Sequence, residues 1–327
     1  MAERRQNKAY AIRDDVKIAI AMNGVSSMER YVAPDGASEQ VLKSVTLSVP
    51  VGSVFGLTGE DRFALQLTSE IAGSLKPHEG GRCVLMELGM MRKKRRILPH
   101  LFYVNDQDVL YDHMQVLTYL MFACEERSGT GAKKQEKWLE LMLETGSWRM
   151  ALTYIGDLTP DERALVSLLA ASETNARLVV ADLSALDIGR ERFGEYARLF
   201  SHMTKAGKTV FVANSGEAFT GRCCTHAALL ENGRVRIADT VARLCQAYDH
   251  RLLTLYTPEV EKASALIALQ FPQLRQSAER GRLKLYTTDD VDHVAVMNAV
   301  SKGGVRYEGV ILGEKTLEEA LMEVRRL

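Results

Sequence analysis

Cysteine, proline and aromatic residues are scarce in this 327-residue chain, and neither sign of charge is in excess. It holds 5 Cys, 7 Pro and 7% aromatic residues, with 42 Lys and Arg against 42 Asp and Glu. The cysteines (Cys83, Cys124, Cys223, Cys224 and Cys245) are odd in number and form no CxxC or His spacing suited to zinc. That excludes a disulfide framework and leaves reduced, packing thiols; His226 beside Cys223 and Cys224 reads the same way. So little proline, with 24 Gly, leaves no room for long disordered linkers. The balanced charge removes any overall pull toward nucleic acid, so such binding would need a local patch. No run approaches the roughly 18 apolar residues of a membrane span. Met1 to Lys8 is polar rather than a signal segment, so the chain is expected to be cytosolic.

What is present is a globular composition, 46% hydrophobic and 26% charged, long enough for two domains. Strand-like runs occur at Val16 to Met22, Val41 to Val49 and Val54 to Leu57, with a turn-rich insertion, Tyr31 to Gln40, carrying Pro34, Asp35 and Gly36. A helix is expected over Phe63 to Ala72. A strand near Phe102 to Asn105 precedes helices over Val116 to Arg127 and Lys133 to Thr145, and Leu158 opens another. Leu178 to Val180 and Thr209 to Ala213 read as buried strands around a helix, Arg190 to Lys205. Strands alternating with helices imply a parallel sheet. Near Tyr248 the rhythm changes to a split βαββαβ pattern: Leu252 to Tyr256, Val260 to Leu269, a hairpin at Arg280 and Gly281, His293 to Ser301, and Val305 to Leu312. An amphipathic helix, Thr316 to Val324, closes the chain.

Six pieces stand in one order between residues 16 and 247. They are Val41-Leu42-Lys43-Ser44-Val45; Gly52-Ser53-Val54-Phe55-Gly56-Leu57-Thr58-Gly59; Ile71-Ala72-Gly73-Ser74-Leu75-Lys76-Pro77 followed by Gly80; Ser184-Ala185-Leu186-Asp187; Gly207-Lys208-Thr209-Val210; and Leu230-Glu231-Asn232-Gly233-Arg234. No one piece is specific, but the series resembles the nucleotide-binding subunit of ATP-binding-cassette (ABC) transporters. Thr316-Leu317-Glu318-Glu319-Ala320 resembles the end of the extra C-terminal domain in the subfamily exporting drugs or antibiotics. The resemblance implies an α/β fold with a P-loop NTPase-like ABC ATPase domain over 16–248, built of a mixed sheet, helices and a helical subdomain. A polar tail (1–15) precedes it, and a small α+β ferredoxin-like accessory domain (249–327) follows.

The family's chemical stations are altered. A phosphate loop of the form GxxGxGK[ST] turns backbone N–H groups toward phosphates, while its Lys neutralises charge and its hydroxyl binds Mg²⁺. The resembling run is Gly59-Glu60-Asp61-Arg62-Phe63-Ala64-Leu65-Gln66-Leu67, in which only the first Gly remains, Leu65 stands for the Lys and Gln66 for the Ser/Thr. Arg62 would lend a substitute charge or would be a solvated Arg beside two acids. Counted back from the Asp187 loop, Val180 takes the Mg²⁺-orienting Asp position and Ala181 the general-base Glu position, and neither handles a proton or a metal shell. A gap would recover Asp182 as the carboxylate; otherwise it caps the strand. Ser215 stands for the switch His, Asp106 for the loop Gln with Gln107 one step displaced, and Tyr31 for the adenine-stacking aromatic or a plain loop tyrosine.

The signature LSGGQ becomes Leu158-Thr159-Pro160-Asp161-Glu162. Thr159 is a good N-cap, Pro160 suits the first helical position and the two acids suit the helix dipole, so the helix is kept while its start turns anionic. The basic run Arg92-Lys93-Lys94-Arg95-Arg96 would meet anionic lipid or nucleic acid, or form a solvated turn between two strands.

The resemblance therefore implies a degenerate subunit with no catalytic residues and no metal site of its own, binding ATP and Mg²⁺ at most weakly. It would be cytoplasmic and peripheral on the membrane face, pairing with a second, catalytic ABC ATPase subunit beneath integral membrane subunits, with no nucleic-acid partner. Ser184 and Asp187 would reach across that dimer. Two alternatives are a weakly active ABC ATPase energising export and a soluble regulatory or scaffold protein using the same fold.

Overall fold

The computed structural model describes residues 17–32, 36–106, 108, 110–123, 131–246, 250–287, 291–312 and 315–326. The tail 1–15, Pro34, Asp35, Gln107, Cys124 and Tyr248 lie outside the described residues. The chain divides into two compact units, one ending at Thr240 and the other beginning at Val241. The division falls ahead of residue 248 because the short helix after Thr240 packs on the C-terminal helix.

In the first unit the strands are β1 (Ile18–Ser26), β2 (Arg30–Val32), β3 (Ser38–Gln40), β4 (Val45–Pro50), β5 (Val54–Thr58), β6 (Gly80–Leu85), β7 (Leu88–Gly89), β8 (Leu101–Val104), β9 (Leu178–Asp182), β10 (Thr209–Ala213), β11 (His226–Glu231) and β12 (Arg234–Thr240). The helices are α1 (Arg62–Ala72), α2 (Met90–Ile97), α3 (Val116–Ala123), α4 (Gly131–Thr145), α5 (Pro160–Ser172), α6 (Phe193–Lys205) and α7 (Glu217–Cys223). Strands β5, β9 and β10 are buried along their whole length, as parallel strands covered on both faces must be. They form the centre of a six-stranded sheet, β12-β11-β5-β10-β9-β8, parallel except for the β11–β12 hairpin. That hairpin turns on Asn232 and Gly233, both at positive φ. Helix α7 crosses β5 so closely that a Cβ on Gly56 would lie 2.4 Å from the Thr220 methyl.

A second sheet, β4-β1-β6-β7, is antiparallel, and β4 alternates buried and exposed residues in keeping with one covered face. Its inner side chains, Ile20, Met22, Leu47 and Val49, share a core with Phe55, Leu57 and Phe211. A separate core gathers α3 to α7, with Leu120, Met142, Leu165, Tyr196 and Phe200. Cys83, Cys223 and Cys224 are buried free thiols, and burial pushes those of Cys83 and Cys223 up to about 12.

Three expectations change here. Val41 to Ser44 lie outside β4, which starts at Val45, because Ser44 takes positive φ and Lys43 donates to the Gly233 carbonyl. The Tyr31 to Gln40 insertion carries a small two-stranded ladder, β2–β3. The basic run is not a turn between strands: it forms α2, two short helical pieces joined at a kink where Lys93 has φ −122° and ψ 22°, with buried Met90 and Ile97 at its two ends.

The second unit begins with α8 (Val241–Gln246) and continues with β13 (His250–Tyr256), α9 (Val260–Gln270), β14 (Arg275–Glu279), β15 (Arg282–Thr287), α10 (His293–Lys302), β16 (Gly309–Leu312) and α11 (Leu317–Arg326). Its sheet runs β14-β15-β13-β16 with every neighbour antiparallel, around a core of Leu253, Leu255, Ile267, Leu283 and Val296. Strand β16 starts at Gly309, later than the expected Val305. Thr316 and Glu319 exchange side-chain and backbone hydrogen bonds at the start of α11, which is the physical content of the Thr-Leu-Glu-Glu motif.

Candidate functional site

The loop after β5 reaches α1 through Gly59, where a Cβ would meet the Leu230 carbonyl at 2.3 Å. The first N–H groups of α1 therefore face the carboxyl ends of the parallel strands, a place suited to an anion. The chain supplies that anion itself. Asp61 caps α1, its Oδ1 accepting from the Ala64 N–H at 3.0 Å, and its Oδ2 accepts the Tyr31 hydroxyl at 2.6 Å. Burial first, and then Asp61, push the Tyr31 phenol well above its ordinary value. The Tyr31 ring meets Phe63 edge-on at 6.1 Å.

Arg62 donates to Asp187 at 2.7 Å and to the Ala185 carbonyl at 3.4 Å, so Ala185 and Asp187 are held against this chain's own loop. Leu65 is fully buried. Gln66 spends its amide on Glu70, one turn further along the same helix, at 3.1 Å. Ser215 receives the Thr58 hydroxyl on its carbonyl oxygen at 3.4 Å.

Strand β9 ends on Asp182, level with Ala213 of β10. Val180 and Ala181, counted as the metal and base positions without a gap, are interior strand residues with no exposure. Asp182 is thus the carboxylate at the strand end. Its Oδ1 accepts the Ser184 backbone N–H at 3.1 Å and the Ser184 hydroxyl at 2.6 Å, and its Oδ2 accepts the Tyr103 hydroxyl at 3.4 Å. Burial raises its pKa against the opposing effect of the Ser184 hydrogen bonds, and negative Asp106 and Glu70 raise it further. Asp106 itself is exposed.

Asn214, which sequence reasoning passed over, ties these parts together. It is buried; its amide donates to the Leu183 and Leu186 carbonyls at 2.9 and 3.3 Å, and its oxygen accepts the Gly216 N–H at 2.7 Å. A polar residue ending an apolar strand was the one signal available for it.

The Leu158–Glu162 region starts α5. Leu158 is buried, Thr159 is the N-cap, and Glu162 returns to accept the Thr159 N–H at 2.9 Å. Arg192 pairs with Glu162, with Glu195 at 3.2 Å and with Asp161 at 3.9 Å. The Tyr196 hydroxyl donates to the Asp161 carbonyl at 2.7 Å. The anionic start is therefore neutralised from α6 and the residues before it. A cleft of about 550 Å³ opens beside it, lined among others by Arg149, Asp157, Glu162, Arg192 and Glu195.

No protein-family model matches the chain. Among curated proteins it is similar to a methionine import ATP-binding protein, MetN of Symbiobacterium thermophilum, at 24% identity over 75% of this chain and 74% of that one. It is also similar to an Fe(3+) ions import ATP-binding protein, FbpC 2 of Haemophilus influenzae, at 23% identity over 65% of this chain and 61% of the relative, less than two thirds of the latter's length. Among solved structures it superposes on an ATP-binding subunit of an ABC transporter (TM-score 0.53, 18% identity, 70% of this chain and 93% of that one). CbiO1 of Clostridium perfringens, part of an ABC transporter complex, gives a TM-score of 0.56 at 14% identity, covering 78% of this chain and 96% of its own. A dimeric ATP-binding cassette bound to ADP and Pi gives 0.54 at 16%, covering 68% and 98%.

The chain has the ABC ATPase fold.

That fold brings Gly59, Asp61, Arg62, Asp182, Ser184, Asp187 and Ser215 to one end of the parallel sheet. The residues there do not fit ATP and Mg²⁺. The α1 start already holds a carboxylate, buried Leu65 offers no cation, and Gln66 is turned to Glu70. Adding a polyphosphate beside Asp61 would set like charges within a few ångströms, which costs roughly 1 to 4 kcal/mol per pair near a surface. Among the described residues no cluster of three His, Cys, Asp or Glu side chains could hold a metal ion, and no helix is long and apolar enough to cross a membrane.

Proposed function

We propose that the protein is a non-catalytic subunit of an ABC transporter, pairing with a catalytic cassette subunit beneath integral membrane subunits on the cytoplasmic side. The observation that carries this reading is the α1 start, where Asp61, held by Tyr31, accepts the Ala64 N–H, a donor at the helix end suited to an anion. Buried Leu65 supports it, since the residue aligned with the phosphate-loop Lys offers no cation, and Arg62 is turned to Asp187. The similar proteins are ATP-binding subunits of transporters, which supports the partner class. The exporter-like reading of the second unit rests on Thr316 to Ala320 and on a βαββαβ sheet order consistent with a ferredoxin-like domain, whereas the curated relatives are import proteins.

One observation favours a weakly active ATPase instead: Asp182 stands buried at the strand end, where a metal-orienting carboxylate could act. The purified chain separates the readings. The non-catalytic reading expects Mg²⁺-dependent phosphate release no faster than a blank; release that disappears in Asp182→Asn would establish the active one. Reconstitution with an intact cassette subunit and membrane subunits then tests the pairing. Asp187→Ala should lower the complex's turnover several-fold with assembly intact, and a chain that stays soluble with no transporter subunit attached would favour the scaffold role.

A further inference from the structure

Helix α2 concentrates charge in a molecule whose net charge is zero. Arg92, Lys93, Lys94 and Arg95 are exposed and Arg96 is half-buried, all within eight residues, and none makes an ion pair with a described residue. Like charges at this spacing repel one another, and a helix carrying them without acids is disfavoured. The helix is broken at Lys93; it survives because Met90 and Ile97 are buried beneath it and because Lys94, Arg95 and Arg96 sit in its last turn, where cations suit the dipole. The nearest acid along the chain, Glu87, is exposed in the preceding turn. Inside the patch the Arg96 Nε is shielded from water and has no hydrogen-bond partner, so the cluster has not satisfied itself internally.

Two apolar side chains bracket the run and also face outward: Met91 is 57% exposed and Leu98 45%. A surface of four exposed cations flanked by exposed methionine and leucine suits the boundary of an anionic bilayer. There the cations meet phosphate and carboxylate headgroups, and the apolar ends enter the acyl margin. A nucleic acid would use the cations equally but would leave Met91 and Leu98 in water, and the run contains no aromatic residue on which a base could stack.

We propose that α2 and Leu98 form a lipid-binding face that holds this protein directly against an anionic membrane. The contact is made by this chain's own residues, so it does not require the transporter role proposed above, and it holds or fails independently of nucleotide chemistry.

The test is flotation of the full-length protein with phosphatidylcholine vesicles, with and without phosphatidylserine. Binding is expected only with phosphatidylserine, weakening steeply between about 0.1 M and 1 M salt as the screening length falls from ~10 to ~3 Å. With each cation worth about fivefold near such a surface, R92Q/K93Q/K94Q/R95Q should weaken partitioning by more than about a hundredfold. These four side chains make no ion pair with a described residue, and relief of their mutual repulsion opposes the lost dipole interaction, so the variant should stay folded, with an unchanged far-UV circular dichroism spectrum. Met91→Ser with Leu98→Ser should cost about fivefold more weakly held protein while leaving the salt dependence in place. Equal flotation of the four-glutamine variant would overturn the proposal. So would tight binding of a short DNA or RNA duplex, lost in that variant, with no flotation of the unaltered protein.

Discussion

The start of α1 and the start of α5 are both closed by carboxylates of the same chain, yet they are held by different means. At α1 one capping acid, Asp61, is backed by a tyrosine, and the neighbouring Arg62–Asp187 pair is 50% and 84% exposed. At α5 the capping acid Glu162 is paired with Arg192, with side chains only 14% and 25% exposed, and Asp161 and Glu195 crowd the same guanidinium. Exposed pairs are worth little, while a half-buried guanidinium serving several acids is costly to remove. The α5 start is therefore part of the scaffold. The α1 start is a lightly held plug over a place where the fold would otherwise receive an anion.

The largest effect should come from Arg192→Ala, which leaves three acids close together without a cation. About 3 kcal/mol of destabilisation is expected, roughly 6 to 12 °C in melting temperature for a unit of this size. A loss below about 1 kcal/mol would erase the contrast between the two helix starts. Asn214→Ala should follow at about 2 kcal/mol, since it strands the Leu183 and Leu186 carbonyls and the Gly216 N–H. Chemical unfolding with an unchanged m-value checks it.

A third expectation concerns pH. Burial raises the Asp182 carboxyl, and that of Asp108, in the folded state, so the folded chain binds more protons than the unfolded one across the window above the usual carboxylate pKa. Their contribution therefore falls as pH rises from about 4 through the raised folded values, and is fully lost above them. Asp182→Asn should remove its share, giving a flatter stability profile from pH 4 to neutrality; an identical profile would contradict the assignment. The smallest effect belongs to Arg62→Ala, within about 0.5 kcal/mol, because its partner is nearly free in solvent.

Much of the first unit was legible because a fully buried parallel strand leaves an unbroken apolar run, as at Val54–Thr58 and Thr209–Ala213, and because Asn232-Gly233 demands one kind of hairpin turn. Helix α2 was hidden: its buried anchors, Met90 and Ile97, share a face at i and i+7, but the intervening i+3 and i+4 positions are Lys93 and Lys94, so no apolar stripe can be read. The site was harder still. Counting without a gap from Asp187 landed on Val180 and Ala181, whereas the strand runs on to Asp182 before the chain turns. The identity of the groups that plug the two helix starts depends on contacts between residues 30 apart, Tyr31 with Asp61 and Glu162 with Arg192, which no local pattern encodes.

The most direct measurement is the melting temperature of the full-length protein titrated with Mg-ATP into the millimolar range. A self-filled α1 start predicts no rise with Mg-ATP concentration. A rise that grows with the logarithm of the Mg-ATP concentration, reaching ~2.7 kcal/mol at 100 times the dissociation constant and lost in Arg62→Ala, would contradict the account.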